Sequence, residues 1–338
     1  MQYDEAKNCC DIMRLLTYLA LGLLSPTTLA SEGATFTFSI DNDGIFGVDQ
    51  DYTNGIYLSY TTSALSRESQ YAWMSLSEKY ASSIDKFEWL IGHKMWTPSD
   101  IGATEPIAND RPYAGFFHTE FNYLSLNPQQ SVRYNLTLGT TGEHALSEKA
   151  QRLVHSITGS TEPKGWEYQV DNQFTVGVGY KRFDKLLREP LQDNKEWEIS
   201  NLVEVNASTF RSDVSAGIMF RYGSELSQSM GAADISVERP FNASMMGNTS
   251  SGWFLFSGIT GRYRFNDLSI EGERSGIPEP SEAYDVTLQH WQSTAVAGIA
   301  MYNRTLGFSF TLAVKTPDYI ESPHTIYGNG ALSMYAFF

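Results

Sequence analysis

Several stretches of this sequence alternate strictly between apolar residues and polar or small residues. Phe36 to Ile40, Ser131 to Leu138 and Leu306 to Leu312 all do so without a break. A period of two gives a β-strand one apolar face and one polar face. Two architectures produce this pattern: a soluble β-sandwich, and a transmembrane barrel whose apolar face meets lipid while its other face lines a polar lumen.

The beginning of the chain predicts export. Leu15 to Leu24 is a mostly apolar run of about ten residues, which is too short for a transmembrane helix. Arg14 precedes this run and small residues follow it up to Ala30, as in a secretory signal peptide. We therefore expect a signal peptide over residues 1–30, with Met13 as a possible true start, and a mature domain over residues 31–338. The alternative is an ordinary buried N-terminal helix.

The end of the chain favours the membrane barrel over the sandwich. Leu332 to Phe338 alternates and closes on Phe, and the 19 Tyr and 7 Trp can supply aromatic girdles at both membrane interfaces. We count twelve strands, an even number that closes a barrel with both termini on the periplasmic side. The predicted fold is all-β, a twelve-stranded antiparallel transmembrane β-barrel in the bacterial outer membrane. The strands are expected at about 33–42, 52–63, 86–98, 112–126, 131–141, 170–186, 194–209, 212–223, 251–264, 285–302, 305–316 and 325–338.

The composition excludes two classes of function. The chain has a formal net charge of −15, and nucleic-acid binding needs clustered Lys and Arg, so we expect no nucleic-acid partner. The two cysteines, Cys9 and Cys10, both precede residue 31. The predicted mature domain therefore has no disulfide and no thiolate metal site or nucleophile.

We expect the protein to be a monomer.

Residues 144–158 break the period of two. Their apolar residues recur with a period near 3.6, and Gly159 is a suitable stop, which predicts a short helix in an external connection of the barrel. Gln151 and His155 are four residues apart, so they lie one turn apart on the same face. The alternative is the solvated polar face of a short plug helix. The apolar stripe consists of Leu146, Ala150, Leu153, Val154 and Ile157.

Polar residues also lie where the first two strands meet. Asn42 and Asp43 end the first strand and Thr53 opens the second. The strand count puts both segments at the outer rim, at the same end as the helix, so we expect them to converge with Gln151 and His155. An ordinary turn at Asn-Asp-Gly is the alternative for the first segment.

The sequence resembles the outer-membrane lipid A 3'-O-deacylases, which are twelve-stranded barrels. The resemblance extends over essentially residues 31–338. It implies hydrolysis of the 3'-linked acyloxyacyl ester of lipid A, in lipopolysaccharide of the outer leaflet, at a site facing the cell exterior. The matching pieces are Asn42-Asp43, Asp51-Tyr52-Thr53-x-Gly55, Asp110-Arg111-Pro112-Tyr113, His118-Thr119 and Gln151-x-x-x-His155, with Gly159 and Trp166 at the family spacing.

The resemblance also implies roles for single residues. His155 matches the general base, Gln151 the polar residue beside it, and Asn42, Asp43 and Thr53 the active-site residues of the first two strands, with calcium at Asp43. Two departures stand out. The stretch from residue 100 to 105 lacks the family's active-site lysine, and Thr161 stands where the family has a glutamate. Glu162, one residue further on, is therefore the second residue that we expect at the metal.

These residue types suit ester hydrolysis. A histidine titrates close enough to neutral pH to act as a base toward water, and calcium held by oxygen ligands can polarise an ester carbonyl. Asn42 could hold the oxyanion or orient the water. Two alternatives stay open. One is an outer-membrane phospholipase, which needs a Ser-His pair on the barrel exterior, and no motif supplies one. The other is a catalytically silent barrel or channel.

Overall fold

Twelve antiparallel strands form a closed barrel in the computed structural model, which describes residues 33–46, 51–66, 71–80, 82–247 and 251–338. Each strand pairs with its neighbours in sequence, and β1 pairs with β12. The predicted barrel is thus confirmed, whereas the predicted signal peptide lies outside the described residues. The strands are β1 (Thr35–Asn42), β2 (Asp51–Thr61), β3 (Ile84–Thr97), β4 (Ala114–Asn127), β5 (Gln130–Thr141), β6 (Phe174–Pro190), β7 (Glu196–Ser208), β8 (Arg211–Gly223), β9 (Gly252–Asp267), β10 (Trp291–Tyr302), β11 (Leu306–Lys315) and β12 (Tyr327–Phe337).

The start of β1 and the end of β12 lie at the same end of the barrel, because Thr35 pairs with Phe337. We call the opposite end the distal rim. The connections that follow β1, β3, β5, β7, β9 and β11 all lie there. Two strands start several residues later than expected: β6 begins at Phe174 rather than about 170, and β10 at Trp291 rather than about 285. The residues before them bond to other connections instead, Val170 to Tyr113 and Leu288 to Tyr319.

The outer wall of the barrel is apolar. Trp89, Phe121, Val178 and Ile259 leave 50%, 49%, 57% and 61% of their surface exposed. Their sequence neighbours point the other way, as the pleat of a strand requires. An exposed apolar band around a closed barrel is what a lipid environment selects.

Residues 224–247, between β8 and β9, fold into the lumen as a plug. The Arg239 guanidinium lies 2.5 Å from Glu88 Oε1, and the Arg239 N–H donates to Asp41 Oδ2 at 2.8 Å. Lys181 pairs with Asp234 at 2.5 Å. These buried charges are paired with the wall, which offsets the cost of removing them from water. A polar cavity of about 180 Å³ remains beside the plug.

The predicted helix is confirmed as α1 (Ser147–Thr158), in the connection between β5 and β6. It ends at Gly159, whose φ of 74° favours glycine. The alternative of a plug helix with a solvated polar face is wrong, because Gln151 and His155 are buried while Leu153 is exposed. A second helix, α2 (Leu268–Glu271), lies in the connection after β9. Among the described residues, no helix is long and apolar enough to cross a membrane.

Candidate active site

Helix α1 lies against the outer face of the barrel wall at the distal rim. Lys94 faces the lumen, where it binds Glu238 of the plug at 2.8 Å, so the next residue, Met95, faces outward. Met95 belongs to a small buried cluster on which Ala150 of α1 packs. The helix therefore covers the outside of β3 rather than the lumen. The other members of the cluster are Ile101, Tyr113 and Trp166.

The imidazole of His155 is oriented by the chain that follows α1. Beyond Gly159 the chain turns back, and the Thr161 carbonyl oxygen lies 2.5 Å from His155 Nδ1. A carbonyl only accepts, so Nδ1 donates the proton. This tautomer places the basic lone pair on Nε2, as a general base requires. His155 is 9% exposed.

The amide of Gln151 is oriented by Trp166. The indole Nε1 of Trp166 donates to Gln151 Oε1 at 2.8 Å, and since an indole N–H can only donate, the amide oxygen must face it. Gln151 is 2% exposed, and its Nε2 has no hydrogen-bond partner among the described residues. A buried donor of this kind is unfavourable until something accepts from it. Gln151 thus offers a fixed N–H on the same buried face of α1 as His155.

The residues predicted on the first two strands form a second group. Asn42 Nδ2 donates to the Thr53 carbonyl at 3.0 Å, and Asn42 Oδ1 accepts from the Gly44 N–H at 2.7 Å. Thr53 occupies a β-bulge between its two neighbours and shares a hydroxyl hydrogen bond of 2.7 Å with Thr97. Bulges often re-aim side chains beside active sites. Asp43 begins the 3-10 turn Asp43–Phe46 and is 2% exposed.

The stretch Asp110-Arg111-Pro112-Tyr113 connects the two groups. The Arg111 guanidinium makes a buried ion pair with Asp51, at the start of β2. Two residues later, the Tyr113 ring lies 4.5 Å from the Trp166 ring, centroid to centroid. One short segment thus holds both the strand that carries Thr53 and the indole that orients Gln151.

Glu162 is not placed as a metal ligand would be. Its side chain is 70% exposed and pairs with Arg152 at 2.6 Å, so its carboxylate is already neutralised on the surface of α1. Glu148 and Glu162 together raise the pKa of Arg152. Glu162 at the metal therefore stays a prediction, and in this structure its carboxylate is engaged by Arg152 on the surface of α1. Among the described residues, no group of three or more His, Cys, Asp or Glu is arranged to hold a metal ion.

The connection that lacks the family's lysine lies beside the His155 segment. A Cβ at Gly102 would lie 3.8 Å from Thr161 Cγ2, and the Lys164 N–H donates to the Ile101 carbonyl at 2.8 Å. A lysine is thus present on the segment that faces residues 100–105, although not within it.

A Ser-His pair that the sequence motifs missed anchors the start of α1. Ser147 Oγ lies 2.9 Å from His93 Nε2 on β3. The alternation along β3 could have revealed that His93 faces outward with Trp89, but nothing local marks Ser147 as its partner. Ser147 is 1% exposed, and a Cβ at Gly115 would lie 2.2 Å from its Oγ. The serine oxygen is therefore enclosed between the helix and the wall.

Comparison with known proteins places this architecture in a family. A family model described as "Outer membrane protein LpxR" matches residues 15–338. The chain belongs to the LpxR family. LpxR from Salmonella typhimurium has a similar solved structure, with a TM-score of 0.74, 16% sequence identity, and coverage of 90% of this chain and all of that one. No curated protein matches the sequence.

Two other barrels are less similar. The β domain of the Bordetella autotransporter BrkA has a TM-score of 0.44 at 9% identity, covering 91% of this chain and 99% of that one. The KdgM porin has a TM-score of 0.35 at 6% identity, covering 90% and 99%. Membership of the LpxR family supports an outer-membrane enzyme that modifies lipid A.

Proposed function

We propose that this LpxR-family protein hydrolyses the 3'-linked acyloxyacyl ester of lipid A with a water molecule activated by His155. The observation that supports this most is the shared buried face of α1. There a histidine with its lone pair on Nε2 lies one turn from a fixed amide N–H of Gln151. A base and an oxyanion donor are the two groups that ester hydrolysis by water requires.

The proposed steps use these two groups. His155 Nε2 takes a proton from water, and the water oxygen forms a bond to the ester carbonyl carbon. The negative charge on the carbonyl oxygen is stabilised by the Gln151 Nε2 N–H. The bond from that carbon to the alcohol oxygen then breaks, and this oxygen takes the proton from His155. The products are the free acyloxyacyl acid and the sugar hydroxyl.

The observed contacts of Asn42 lead us to propose a different role for it. Its amide bridges the Gly44 N–H and the Thr53 carbonyl, so it holds the connection between β1 and β2 in place. The oxyanion donor is therefore Gln151, whose N–H is already aimed by Trp166. Asn42 becomes a positioning residue for Asp43 and Thr53.

Calcium is part of the proposal through Asp43. The Asp43 carboxylate is buried at the distal rim, and carboxylate oxygens are hard ligands that suit calcium rather than softer metals. Asp43 would hold the ion, which when bound polarises the ester carbonyl. Asp43→Asn should raise the calcium concentration needed for activity, whereas Glu162→Gln should leave it unchanged.

The serine phospholipase alternative has one observation in its favour, the Ser147–His93 pair. Two facts weigh against a nucleophilic role: the oxygen of Ser147 is enclosed, and it lies at the first residue of the helix. The pair is better explained as a tie between α1 and β3.

The channel alternative is not favoured by the plug that residues 224–247 form in the lumen.

One experiment tests the reaction and separates the two enzyme mechanisms. The protein is expressed in a bacterium with hexa-acylated lipid A, and the lipid A is analysed by mass spectrometry. Loss of one acyloxyacyl unit is expected from the wild type and from Ser147→Ala. His155→Ala should lower the rate by at least about 100-fold, the usual effect of removing a general base. An unchanged lipid A, from a protein that still shows heat-modifiable migration, would refute the proposal. Loss of activity only in Ser147→Ala would instead support the serine mechanism.

The distal rim is proposed to face the cell exterior. The even number of strands and the shared position of both barrel termini support this orientation. Closure of the sheet leaves no strand edge at which a second copy could pair, and we propose a monomer. A single cysteine at the exposed position 149 of α1 should react with an impermeant maleimide on intact cells.

A further inference from the structure

Helix α1 has three faces rather than two. With 3.6 residues per turn, its side chains divide into three stripes along the axis. The buried stripe is Ser147, Gln151 and His155, and it faces the barrel wall. A charged and polar stripe on one flank is formed by Glu148, Lys149, Arg152 and Ser156. An apolar stripe on the other flank is formed by Leu153, Val154 and Ile157, with exposed Leu146 just before the helix, while Ala150 between them packs on the wall.

The apolar stripe is turned outward. Leu153, Ile157 and Leu146 are 62%, 59% and 55% exposed. A helix on the surface of a water-soluble protein would bury such a stripe and expose its polar residues. Here Gln151 and His155 occupy the buried face instead. Such an arrangement is favourable where the surface or medium beside the helix is itself apolar.

The apolar stripe is close to the lipid-facing wall. The bond from Ser147 to His93 fixes the start of α1 at the level of His93 on β3. His93 is the register partner of Phe117, which is 45% exposed on the outer wall. Phe117 of β4 is the register partner of Thr140 of β5, and Thr140 is in turn the partner of Phe174 at the start of β6. Phe174 is 75% exposed. The exposed aromatic band therefore reaches the level at which the helix begins.

We propose that α1 is an interfacial membrane helix, with its apolar stripe in the acyl chains of the surrounding lipids and its polar stripe in the headgroup layer. The ion pairs of Arg152 with Glu148 and Glu162 lie on the polar flank, where water and headgroups solvate them. This membrane contact does not depend on the proposed reaction. Its consequence for any reaction is that the buried stripe, with His155, is held at the boundary between acyl chains and headgroups.

The test measures the depth of single side chains. A background with Cys9→Ser and Cys10→Ser has no cysteine left. Single cysteines at Leu153 and Ile157 then carry a nitroxide label. Lys149→Cys and Ser156→Cys are the matched controls, since both positions are exposed on the other flank of the same helix. The folded protein is reconstituted in dioleoylphosphatidylcholine vesicles, which contain no lipid A.

Accessibility to oxygen is compared with accessibility to a water-soluble nickel complex. For an interfacial helix the oxygen-to-nickel ratio should be about threefold or more higher at positions 153 and 157 than at 149 and 156. Equal ratios at all four positions, typical of water, would overturn the proposal. Broadening of the spectra at 153 and 157 that grows with protein density would assign the stripe to a second copy of the chain, and would overturn it as well. Because no substrate is present, this outcome is independent of whether the protein is a deacylase.

Discussion

The indole N–H of Trp166 donates a hydrogen bond of 2.8 Å to the side-chain oxygen of Gln151. This bond fixes which end of the amide points toward the active face of α1. Trp166 is fully buried beside Tyr113, so the indole itself is held in place. The tryptophan is thus a positioning residue for the proposed oxyanion donor.

Replacing this indole tests the positioning role. Trp166→Phe should lower kcat by about tenfold, because losing one buried hydrogen bond costs roughly 1–1.5 kcal/mol. KM should change little, since the amide is proposed to act on the oxyanion rather than on the bound ester. Steady-state kinetics on purified lipid A in detergent would measure both constants. Trp73→Phe is the control, because Trp73 is 73% exposed near the other end of the barrel.

A double variant shows whether Trp166 acts through Gln151. Gln151→Ala alone should lower kcat by about 100-fold, the usual effect of removing an oxyanion donor. Adding Trp166→Phe to it should cause no further loss, because the indole then has no amide to orient. Fully additive losses would show that Trp166 contributes by another route.

The buried pair of Arg111 and Asp51 predicts a stability effect. Removing one partner of a buried ion pair leaves a charge without compensation, so Arg111→Met should destabilise the barrel by roughly 3–5 kcal/mol. Urea unfolding in lipid vesicles, followed by tryptophan fluorescence, would measure the loss. Arg304→Met removes the same charge at an exposed turn and should have a far smaller effect. If both variants unfold alike, the pair does not hold the rim together.

Asp318 predicts how the rim responds to acid. Burial alone would raise the pKa of Asp318, but Lys315, Arg264 and Arg111 outweigh it and hold the pKa well below the ordinary value of 3.8. A carboxylate whose pKa is lower in the folded than in the unfolded protein stabilises the fold at pH values above its unfolded pKa. This stabilisation is lost as the pH falls through its folded pKa. The stability difference between wild type and Asp318→Asn should therefore be constant from pH 8 to about pH 5 and shrink only below about pH 4. A difference that already shrinks near pH 6 would contradict this assignment.

The plug predicts a closed barrel. Arg239 ties residues 224–247 to Glu88 and Asp41 inside the lumen. Arg239→Ala leaves Glu88 buried without this cation, which should loosen the plug. Planar-bilayer recordings should show no steady conductance for the wild type and for Arg304→Ala, and frequent openings for Arg239→Ala. Steady conductance of the wild type would favour the channel alternative.

Most of the architecture could be predicted from the sequence. The alternation of residues such as Ser131 to Leu138 is a local pattern, and it identifies both the strand and its lipid-facing side. The change of period near residue 146 likewise identified α1. Strand ends were less predictable: β10 starts at Trp291 because Leu288 pairs with Tyr319 of a distant connection.

The contacts of the candidate site were only partly predictable. The spacing of Gln151 and His155 put them on one face, which the structure confirms. The burial of that face, the contact with Trp166 and the hydrogen bond from Ser147 to His93 could not be predicted from the sequence. Each joins residues from separate segments, 15 and 54 positions apart in the last two cases. The ion pair of Glu162 with Arg152 was not predicted either, because spacing from the histidine does not reveal it.

The sequence by itself determined the barrel, its twelve strands, the helix and the candidate base, because these follow from periods of two and 3.6 residues and from side-chain chemistry. The tertiary structure alone decided that residues 224–247 fill the lumen and that α1 turns its polar face to the wall and its apolar stripe outward. The physical reason is that a helix has several faces, and which of them is buried depends on the surfaces that the closed barrel presents.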